Sequence, residues 1–298
     1  MTMSAESGSR IVFPVAPRLA AQIPDRMRRR LSYGWRVFRT GMAFGVFGLG
    51  ALVIGIVLIP VFYLLPGAKG EREIRGQMIV HLGFRTFVWV MESLGLIRVS
   101  RIGTDRLRRD RPYVVIANHP TLIDAVLLLA CMPQADCVAK KAVWNNTFLR
   151  WAVRGAGYIP NDEGEALIEA CGKRLREGRC LLLFPEGTRS PMGQLGRFRR
   201  GAARVALKSG CDVVPVVITC DPPTLMKGQK WHQVPDRTVY ITLKVEEAIV
   251  SRDYVNRYES VATGARRMTA SIRALYEKNV GDARVDTAEV ESTKLIVE

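Results

Sequence analysis

The sequence has 298 residues, 48% of them hydrophobic, which is enough for one large α/β domain or two small ones with a buried core. Six cysteines without a CxxC pair and only three histidines argue against disulfides and against a zinc or histidine-rich metal site. Lys and Arg outnumber Asp and Glu by 44 to 28, and the formal charge of +16 predicts an anionic partner. Nucleic acid, anionic lipid, a phosphorylated substrate and an acidic carrier protein all meet that description.

Residues 1–35 are rich in Ser, Pro, Gly and Arg without a sustained period and are expected to form a mobile basic arm. The uncharged run GMAFGVFGLGALVIGIVLIPVFYLLP (41–66) follows, longer than the roughly 20 residues that a helix needs to cross a bilayer core. Arginines precede this run and further basic residues follow it, so the flanking charges leave the number of crossings open. Pro60 and the glycines would permit a bent, re-entrant course.

A second apolar segment, residues 78–99, is interrupted by His81, Arg85 and Glu92. Such a pattern is typical of an amphipathic helix on the membrane interface or of a weak return span. We therefore expect a membrane-associated helical region over residues 36–99.

From residue 100 onward, short β-branched runs alternate with helical stretches, which predicts an α/β fold with a mixed central sheet flanked by helices. The predicted strands are PYVVIA (112–117), DCVAK (136–140), CLLLF (180–184), VVPVVI (213–218) and VYITLKV (239–245). Residues 163–178 are predicted to be helical with Asp162 as the N-cap. Apolar residues at three- and four-residue steps from Tyr254 to Leu275 predict an amphipathic helix. This domain is expected over residues 100–280, with a tail over 281–298.

The stretch VVIANHPTLIDA places His119 where an apolar strand ends, and Pro120 suits the first position of the following helix. In an unbroken helix, residues five apart point about 140° apart, so His119 can meet Asp124 only from the turn before the helix. There the carboxylate would fix the imidazole tautomer and leave the other ring nitrogen to deprotonate a substrate hydroxyl. A helix-capping histidine is the alternative for this pair taken alone.

A second apolar strand ends in LLLFPEGTRSP, at the kind of position where ligands collect in α/β sheets. Gly187 would let the backbone approach a ligand, Arg189 offers a donor fork for a phosphate or carboxylate, and Glu186 could hold a substrate hydroxyl. An internal pair between Glu186 and Arg189 that only shapes the loop is the alternative. Basic residues without an acidic neighbour follow this motif, namely Arg197, Arg199, Arg200, Arg204 and Lys208.

Together these elements resemble the glycerolipid acyltransferase family that includes the 1-acyl-sn-glycerol-3-phosphate acyltransferases, over about residues 78–250. NHPTLID resembles the family's catalytic block, FPEGTRS its substrate-binding block and VVPVVI its last block. Lys140 and Lys141 resemble a basic position of that family. The resemblance implies His119 and Asp124 as the catalytic residues. It also implies a substrate-binding set formed by Asn118, Lys141, Glu186, Gly187, Thr188 and Arg189.

The activity that this resemblance implies is that of a membrane-bound O-acyltransferase of the EC 2.3.1 type. A fatty acyl group would pass from acyl-CoA or acyl-carrier protein to a lysophospholipid-like hydroxyl, such as that of 1-acylglycerol-3-phosphate, without a metal or other cofactor. The implied location is the cytoplasmic membrane, with the active site on its cytoplasmic face and an anionic membrane surface as partner. Such a location conflicts with a single crossing from a cytoplasmic N-terminus and favours the re-entrant or two-segment course.

One block departs from the family pattern, in which a glycine is followed, after a few apolar residues, by Asp-Arg. Here GYIPNDE (157–163) has Glu163 in place of that arginine. The loss of a phosphate ligand leaves a lyso-aminolipid, a glycolipid or another alcohol open as the acceptor.

Two rival functions remain. Water could replace the acceptor and make the enzyme a hydrolase, although the chain has no GxSxG elbow of a serine esterase. The chain could also be a non-catalytic basic protein that binds membranes or nucleic acid. We expect no nucleic-acid partner, because the basic clusters adjoin apolar segments and nothing resembles an aromatic base-stacking platform.

Overall fold

The computed structural model describes residues 25–162, 164–191 and 194–297, and the surroundings of side chains within residues 29–279. The helices are α1 (Asp25–Val53), α2 (Ile59–Tyr63), α3 (Lys69–Ser93), α4 (Asp124–Leu129), α5 (Lys141–Trp144), α6 (Arg150–Gly155), α7 (Glu165–Arg176), α8 (Gly201–Ser209), α9 (Ser251–Arg257) and α10 (Val261–Val297). The strands are β1 (Ile97–Ile102), β2 (Tyr113–Ala117), β3 (Asp136–Ala139), β4 (Ile159–Pro160), β5 (Leu181–Leu183), β6 (Asp212–Asp221) and β7 (Val239–Val245).

Within the described residues, seven strands form one sheet in the order β1-β7-β6-β2-β5-β3-β4. Strands β6, β2, β5, β3 and β4 are parallel to one another. β7 pairs antiparallel with β6 and parallel with β1. Helices α3, α4 and α6 cover one face, and α7, α8 and α10 cover the other. This mixed sheet between two helical layers confirms the predicted fold class. Every residue of β2 is buried because helices lie on both sides of this central strand.

The five predicted strands are all present as β2, β3, β5, β6 and β7, and only β1 and β4 are missing from the prediction. β1 is an edge strand in which buried Ile97 is followed by exposed Arg98, so its apolar signal is weak. The predicted helix over 78–99 wrongly runs into it, since α3 ends at Ser93. β4 has two residues, too few for a recognisable pattern.

Two predicted helix boundaries also differ from the structure. The N-cap of α7 is Gly164 without a side-chain hydrogen bond, because the carboxylate of Asp162 instead lies 3.1 Å from Nζ of Lys141. The amphipathic segment near the C-terminus is broken into α9 and α10, because the backbone at Tyr258 is extended.

The N-terminal apolar run forms one continuous helical rod that consists of α1, a π-helical segment (Ile54–Leu58) and α2. The π segment ends two residues before Pro60, whose ring would clash with the carbonyl one turn earlier in a regular α-helix. Among the described residues, Arg29–Tyr63 is the one helix that is long and apolar enough to cross a membrane, and an 18-residue window within it has a mean hydropathy of 2.6.

The rod and α3 form a hairpin that packs on the domain. The hydroxyl of Tyr63 donates to the carbonyl oxygen of Gly155 in α6 at 2.8 Å. A Cβ added to Gly76 of α3 would lie 2.3 Å from the same carbonyl oxygen, and one added to Gly55 would lie 2.7 Å from the Cβ of Trp151. Glycines therefore permit the close approach of the N-terminal helices to α6.

The predicted division into domains remains a prediction. Residues 1–24 of the expected mobile arm and Glu163 lie outside the described residues, whereas residues 25–35 are the first turns of α1. Over the stretch expected to be a tail, the backbone of α10 continues as helix to Val297.

Candidate active site

The structure brings the two predicted catalytic residues into contact. His119 lies in the turn after β2, and its Nδ1 is 2.7 Å from Oδ2 of Asp124, the first residue of α4. The Asp124 side chain is 0% exposed and that of His119 is 17% exposed. Because Nδ1 faces the buried carboxylate, Nε2 is the ring nitrogen that remains for a substrate.

A network within the turn holds the carboxylate of Asp124. The backbone N–H of Thr121 donates to Oδ2 at 2.7 Å, and the Thr121 hydroxyl donates to Oδ1. Burial raises the pKa of Asp124, while the hydrogen bonds from His119 and Thr121 stabilise the carboxylate and oppose that shift. The prediction that Pro120 is the first helical residue is wrong, because these hydrogen bonds keep residues 121–123 in a non-helical turn and α4 begins only at Asp124.

The FPEGTRS motif holds His119 from the end of the neighbouring strand β5. Oε1 of Glu186 accepts the backbone N–H of His119 at 2.9 Å, and the N–H of Ser190 donates to the His119 carbonyl oxygen at 2.7 Å. The imidazole stacks on Phe184, with ring centroids 4.3 Å apart. The two motifs meet because β2 and β5 are adjacent and parallel, so their carboxyl ends lie at the same edge of the sheet.

Glu186 is buried, and the protein itself occupies both of its oxygens. Besides the His119 N–H, the carboxylate accepts the Ser190 hydroxyl at 2.7 Å and the Gly196 N–H at 2.8 Å. The side chain is 5% exposed. Glu186 therefore organises the loop and the backbone of His119, and its predicted contact with a substrate hydroxyl remains a prediction.

Asn118 and Arg189 fasten the site to more distant segments. The Asn118 amide donates to the Ile218 carbonyl oxygen at 2.8 Å and accepts the Ile218 N–H at 2.7 Å, which ties the His119 turn to β6. Nη1 of Arg189 donates to the carbonyl oxygens of Leu225 and Met226 at 3.0 and 3.1 Å. The rest of the Arg189 guanidinium retains donors for an anion, whereas the Asn118 amide is directed at the backbone.

Gly187 occupies the turn after Glu186 with φ of 65°, a conformation that favours glycine. A Cβ there would lie 3.4 Å from Nε of Arg199. The backbone N–H of Arg199 in turn donates to the Pro185 carbonyl oxygen at 2.8 Å. Thr188 follows in the half-buried part of the same loop. Gly187 therefore brings the Arg199 side chain close to the motif.

A cluster of positive side chains lies beside the motif. Burial lowers the pKa of Lys140, and the charges of Arg189, Lys227 and Arg199 lower it further. Each of these three charges therefore lies near the Lys140 ammonium, and the Arg199 side chain also lies beside Gly187 of the motif. The sequence analysis did not identify Lys227, because it lies outside every motif.

Lys141, the predicted substrate residue, is directed differently from Lys140. Its ammonium forms the ion pair with Asp162, and its side chain is 74% exposed. Within the described residues, no group of three or more His, Cys, Asp or Glu side chains could hold a metal ion, and the six cysteines are free.

An apolar cleft of about 260 Å³ adjoins the site between α1, α3 and residues 224–239. Its apolar lining includes Phe44, Phe87, Met91, Ile123, Leu225 and Val234. Two of its lining residues connect it to the site: Ile123 directly precedes Asp124, and the carbonyl oxygen of Leu225 accepts a hydrogen bond from Arg189, so the apolar cleft adjoins the segments that hold Asp124 and Arg189. The sequence analysis did not predict it, because its walls come from three distant segments.

Comparison with known proteins connects this geometry to a family. Residues 98–219, which contain both motifs, match the Acyltransferase family model. These residues form a domain of the acyltransferase family. The resemblance expected from NHPTLID and FPEGTRS is thereby confirmed.

This acyltransferase domain is similar in sequence to 1-acyl-sn-glycerol-3-phosphate acyltransferases from plants, yeast and bacteria. The chloroplastic 1-acyl-sn-glycerol-3-phosphate acyltransferase LPAT1 of Arabidopsis thaliana is 32% identical over 37% of this chain and 32% of its own length. The 1-acyl-sn-glycerol-3-phosphate acyltransferase of Saccharomyces cerevisiae is 32% identical over 45% of this chain and 47% of its own length. That of Pseudomonas aeruginosa is 25% identical over 61% of this chain and 70% of its own length. The chain thus spans about a third of the Arabidopsis protein and about half of the yeast protein.

A solved structure supports the fold. The 1-acyl-sn-glycerophosphate acyltransferase PlsC from Thermotoga maritima superposes with a TM-score of 0.67 over 86% of this chain and 98% of that chain. The two sequences are 20% identical. The likeness extends beyond the matched domain, because 86% of the chain includes more than residues 98–219.

Proposed function

We propose that this chain transfers a fatty acyl group from acyl-CoA or acyl-carrier protein to the hydroxyl of a lysophospholipid-like acceptor, with 1-acylglycerol-3-phosphate as the first candidate. The observation that carries the proposal is the buried contact between His119 and Asp124, in a domain of the acyltransferase family. The cation cluster suits the phosphate of such an acceptor, and the apolar cleft suits an acyl chain of the acceptor or the donor.

In the proposed mechanism, Nδ1–H of His119 donates to Asp124 and Nε2 accepts the proton of the acceptor hydroxyl. The hydroxyl oxygen attacks the thioester carbonyl carbon, and the carbon–sulfur bond then breaks. The imidazolium returns its proton to the departing thiolate, so the products are the ester and the free thiol. General-base assistance of this kind contributes about 10² to 10⁴ in rate. Asp124 stabilises the imidazolium that forms between the two proton transfers.

The acceptor that fits best carries a phosphate. The charges of Arg189, Lys227 and Arg199 lie close enough to Lys140 to lower its pKa, and a bound phosphate would relieve that repulsion. A lyso-aminolipid or glycolipid acceptor is the alternative, and Lys227→Gln separates the two. With a phosphate acceptor, this substitution should raise KM roughly tenfold, because a hydrogen bond to a charged group contributes about 1.5–3 kcal/mol. An unchanged KM for 1-acylglycerol-3-phosphate would favour the alternative.

Membrane attachment through the N-terminal helices is part of the proposal. Large apolar side chains on the rod are exposed, including Trp35, Phe38, Val46, Leu49, Ile56, Val57, Val61 and Phe62. The rod also packs against α3 and α6 along the domain. A helix with a protein domain along its side suits a re-entrant or interfacial course better than a complete crossing. We propose that these helices hold the active site at the cytoplasmic face of the cytoplasmic membrane.

The test uses the full chain in detergent with radiolabelled acyl-CoA and acyl-carrier protein as donors. The acceptors are 1-acylglycerol-3-phosphate, a lyso-aminolipid, a glycolipid and none. His119→Ala should lose at least about 10²-fold in transfer rate. His232→Ala, which removes an exposed histidine whose side chain does not line the apolar cleft, is the matched control and should transfer as wild type does. Equal rates for wild type and His119→Ala would refute the mechanism. Release of free fatty acid without transfer to any acceptor would identify a hydrolase.

A further inference from the structure

A second cleft, of about 550 Å³, lies at the other end of α4 from the catalytic pair. α4 begins with Asp124, whereas this cleft meets the chain at Ala130 and Cys131, just after the helix ends. The other walls come from α3 and from the turn that follows β1. We call it the arginine cleft, and its lining includes His81, Arg85, Trp89, Arg101, Arg108 and Cys131. The arginine cleft is therefore separate from the active site.

Three guanidinium groups converge in the arginine cleft. Burial raises the pKa of the Cys131 thiol, and Arg101, Arg85 and Arg108 all oppose that shift, so all three lie near one sulfur atom. Arg101 forms an ion pair with Glu92, in which Nη2 of Arg101 lies 3.5 Å from Oε2 of Glu92.

The other two arginines form no ion pair with a carboxylate among the described residues. Within the described residues, the guanidinium groups of Arg85 and Arg108 have no ion pair or hydrogen bond, and both side chains are exposed. The cleft carries three arginines against two carboxylates, those of Glu92 and Asp105, which leaves one net positive charge. A phosphodiester carries one negative charge, and guanidinium groups bind phosphate oxygens with two parallel hydrogen bonds.

The surroundings of Arg85 indicate a lipid rather than a soluble anion. Leu82 and Trp89 are three and four residues from Arg85 on α3, on the same side of the helix. Their side chains are 52% and 65% exposed. A tryptophan beside an arginine is typical of the membrane interface, where the indole lies at the level of the head groups and the arginine meets phosphate.

We propose that the arginine cleft binds the phosphodiester of an anionic phospholipid, as a second lipid site that takes no part in the reaction. Arg85 and Arg108 contact the phosphate, and Trp89 lies among the adjoining lipid. This inference rests on the membrane attachment proposed above, and it is independent of the catalytic step.

The test measures how tightly the full chain binds to phosphatidylcholine vesicles with and without phosphatidylglycerol. The variant Arg85→Gln with Arg108→Gln should lose roughly 30-fold in affinity for the phosphatidylglycerol vesicles, since each basic residue at an anionic surface contributes about 1 kcal/mol. The matched control is Arg252→Gln with Arg257→Gln, which removes the same charge from exposed positions of α9 on the opposite side of the sheet. The control should bind as wild type does, and so should His119→Ala.

Three results would overturn the proposal. The first is equal affinity of wild type and the Arg85→Gln, Arg108→Gln variant, whose folding is checked by thermal unfolding. The second is undiminished binding of Arg85→Lys with Arg108→Lys, which keeps the charge but lacks the planar donor fork, because a diffuse field alone would then suffice. The third is stabilisation of wild type by inorganic phosphate that the glutamine pair abolishes without any change in vesicle binding. That third result would assign the cleft to a soluble phosphate.

Discussion

Replacing Asp124 by asparagine removes the charge beside His119 while keeping the shape of a fully buried side chain. The backbone N–H of Thr121 decides how the new amide is oriented. This N–H lies 2.7 Å from Oδ2 and can only donate, so the amide oxygen must occupy that position. The same oxygen still accepts Nδ1–H of His119, and the amide nitrogen donates to the Thr121 hydroxyl, which can rotate. The imidazole therefore keeps its tautomer, and only the charge is lost.

The expected fall in kcat follows from these hydrogen bonds. A hydrogen bond to a charged group contributes about 1.5–3 kcal/mol, so we expect kcat of Asp124→Asn to fall roughly 10- to 150-fold. His119→Ala, which removes the base itself, should lose about 10² to 10⁴. The assay is steady-state acyl transfer to 1-acylglycerol-3-phosphate at saturating donor. Asp136→Asn makes the same change at another aspartate of 0% exposure, at the amino end of β3, and should retain kcat.

Two outcomes would contradict this reasoning. If Asp124→Asn is as inactive as His119→Ala, the amide has forced the wrong tautomer and the orienting role of Thr121 is refuted. If kcat of Asp124→Asn equals that of wild type, Asp124 does not stabilise the imidazolium.

Three further predictions concern the framework of the site. Glu186→Gln should lower kcat roughly tenfold and the free energy of unfolding by about 1–3 kcal/mol. The reason is that one carboxylate oxygen accepts the backbone N–H of His119 and the other that of Gly196, so the new amide nitrogen must face one of these donors. Gly76→Ala should lower the thermal midpoint in detergent, with a loss of about 1–3 kcal/mol, because the added Cβ would lie 2.3 Å from a carbonyl oxygen of α6. Burial raises the pKa of Asp136 from 3.8 to about 6, so the folded state binds more protons than the unfolded state between these pH values. The free energy of unfolding of the wild type should therefore fall by about 3 kcal/mol as pH rises from below 3.8 to above 6. Asp136→Asn should not show this fall.

Each of these predictions has a measurement that can contradict it. Unchanged kcat and urea midpoint for Glu186→Gln would show that the loop tolerates an unpaired N–H. For Gly76→Ala the control is Gly172→Ala in α7, where the added Cβ meets only the flexible end of the Arg176 side chain at 3.3 Å. Equal losses for both alanine variants would refute the close-approach argument. For Asp136, the difference in unfolding free energy between wild type and variant is compared at pH 4 and pH 7, and a constant difference would contradict the shifted pKa.

The strands were predictable because their residues carry the signal themselves. In β2, β5 and β6 continuous apolar runs reflect burial by helices on both faces, a property of the local sequence. β1 was not predictable, because one face of this edge strand is exposed and its arginines interrupt the apolar pattern. The start of α4 was also mispredicted, because the carboxylate of Asp124 competes with helix formation in the turn before it.

In the candidate site, too, some features were predictable from the sequence and others were not. The contact between His119 and Asp124 could be predicted from local sequence, since a five-residue separation that begins at a strand end leaves few other arrangements. Three other features became visible only in the folded chain: Glu186 binds the His119 backbone, Lys140 rather than Lys141 belongs to the cation cluster, and Lys227 belongs to it as well. These features depend on the order of strands in the sheet. Residues far apart in the chain become neighbours only once β2, β3, β5 and β6 are paired, and no local pattern encodes that pairing.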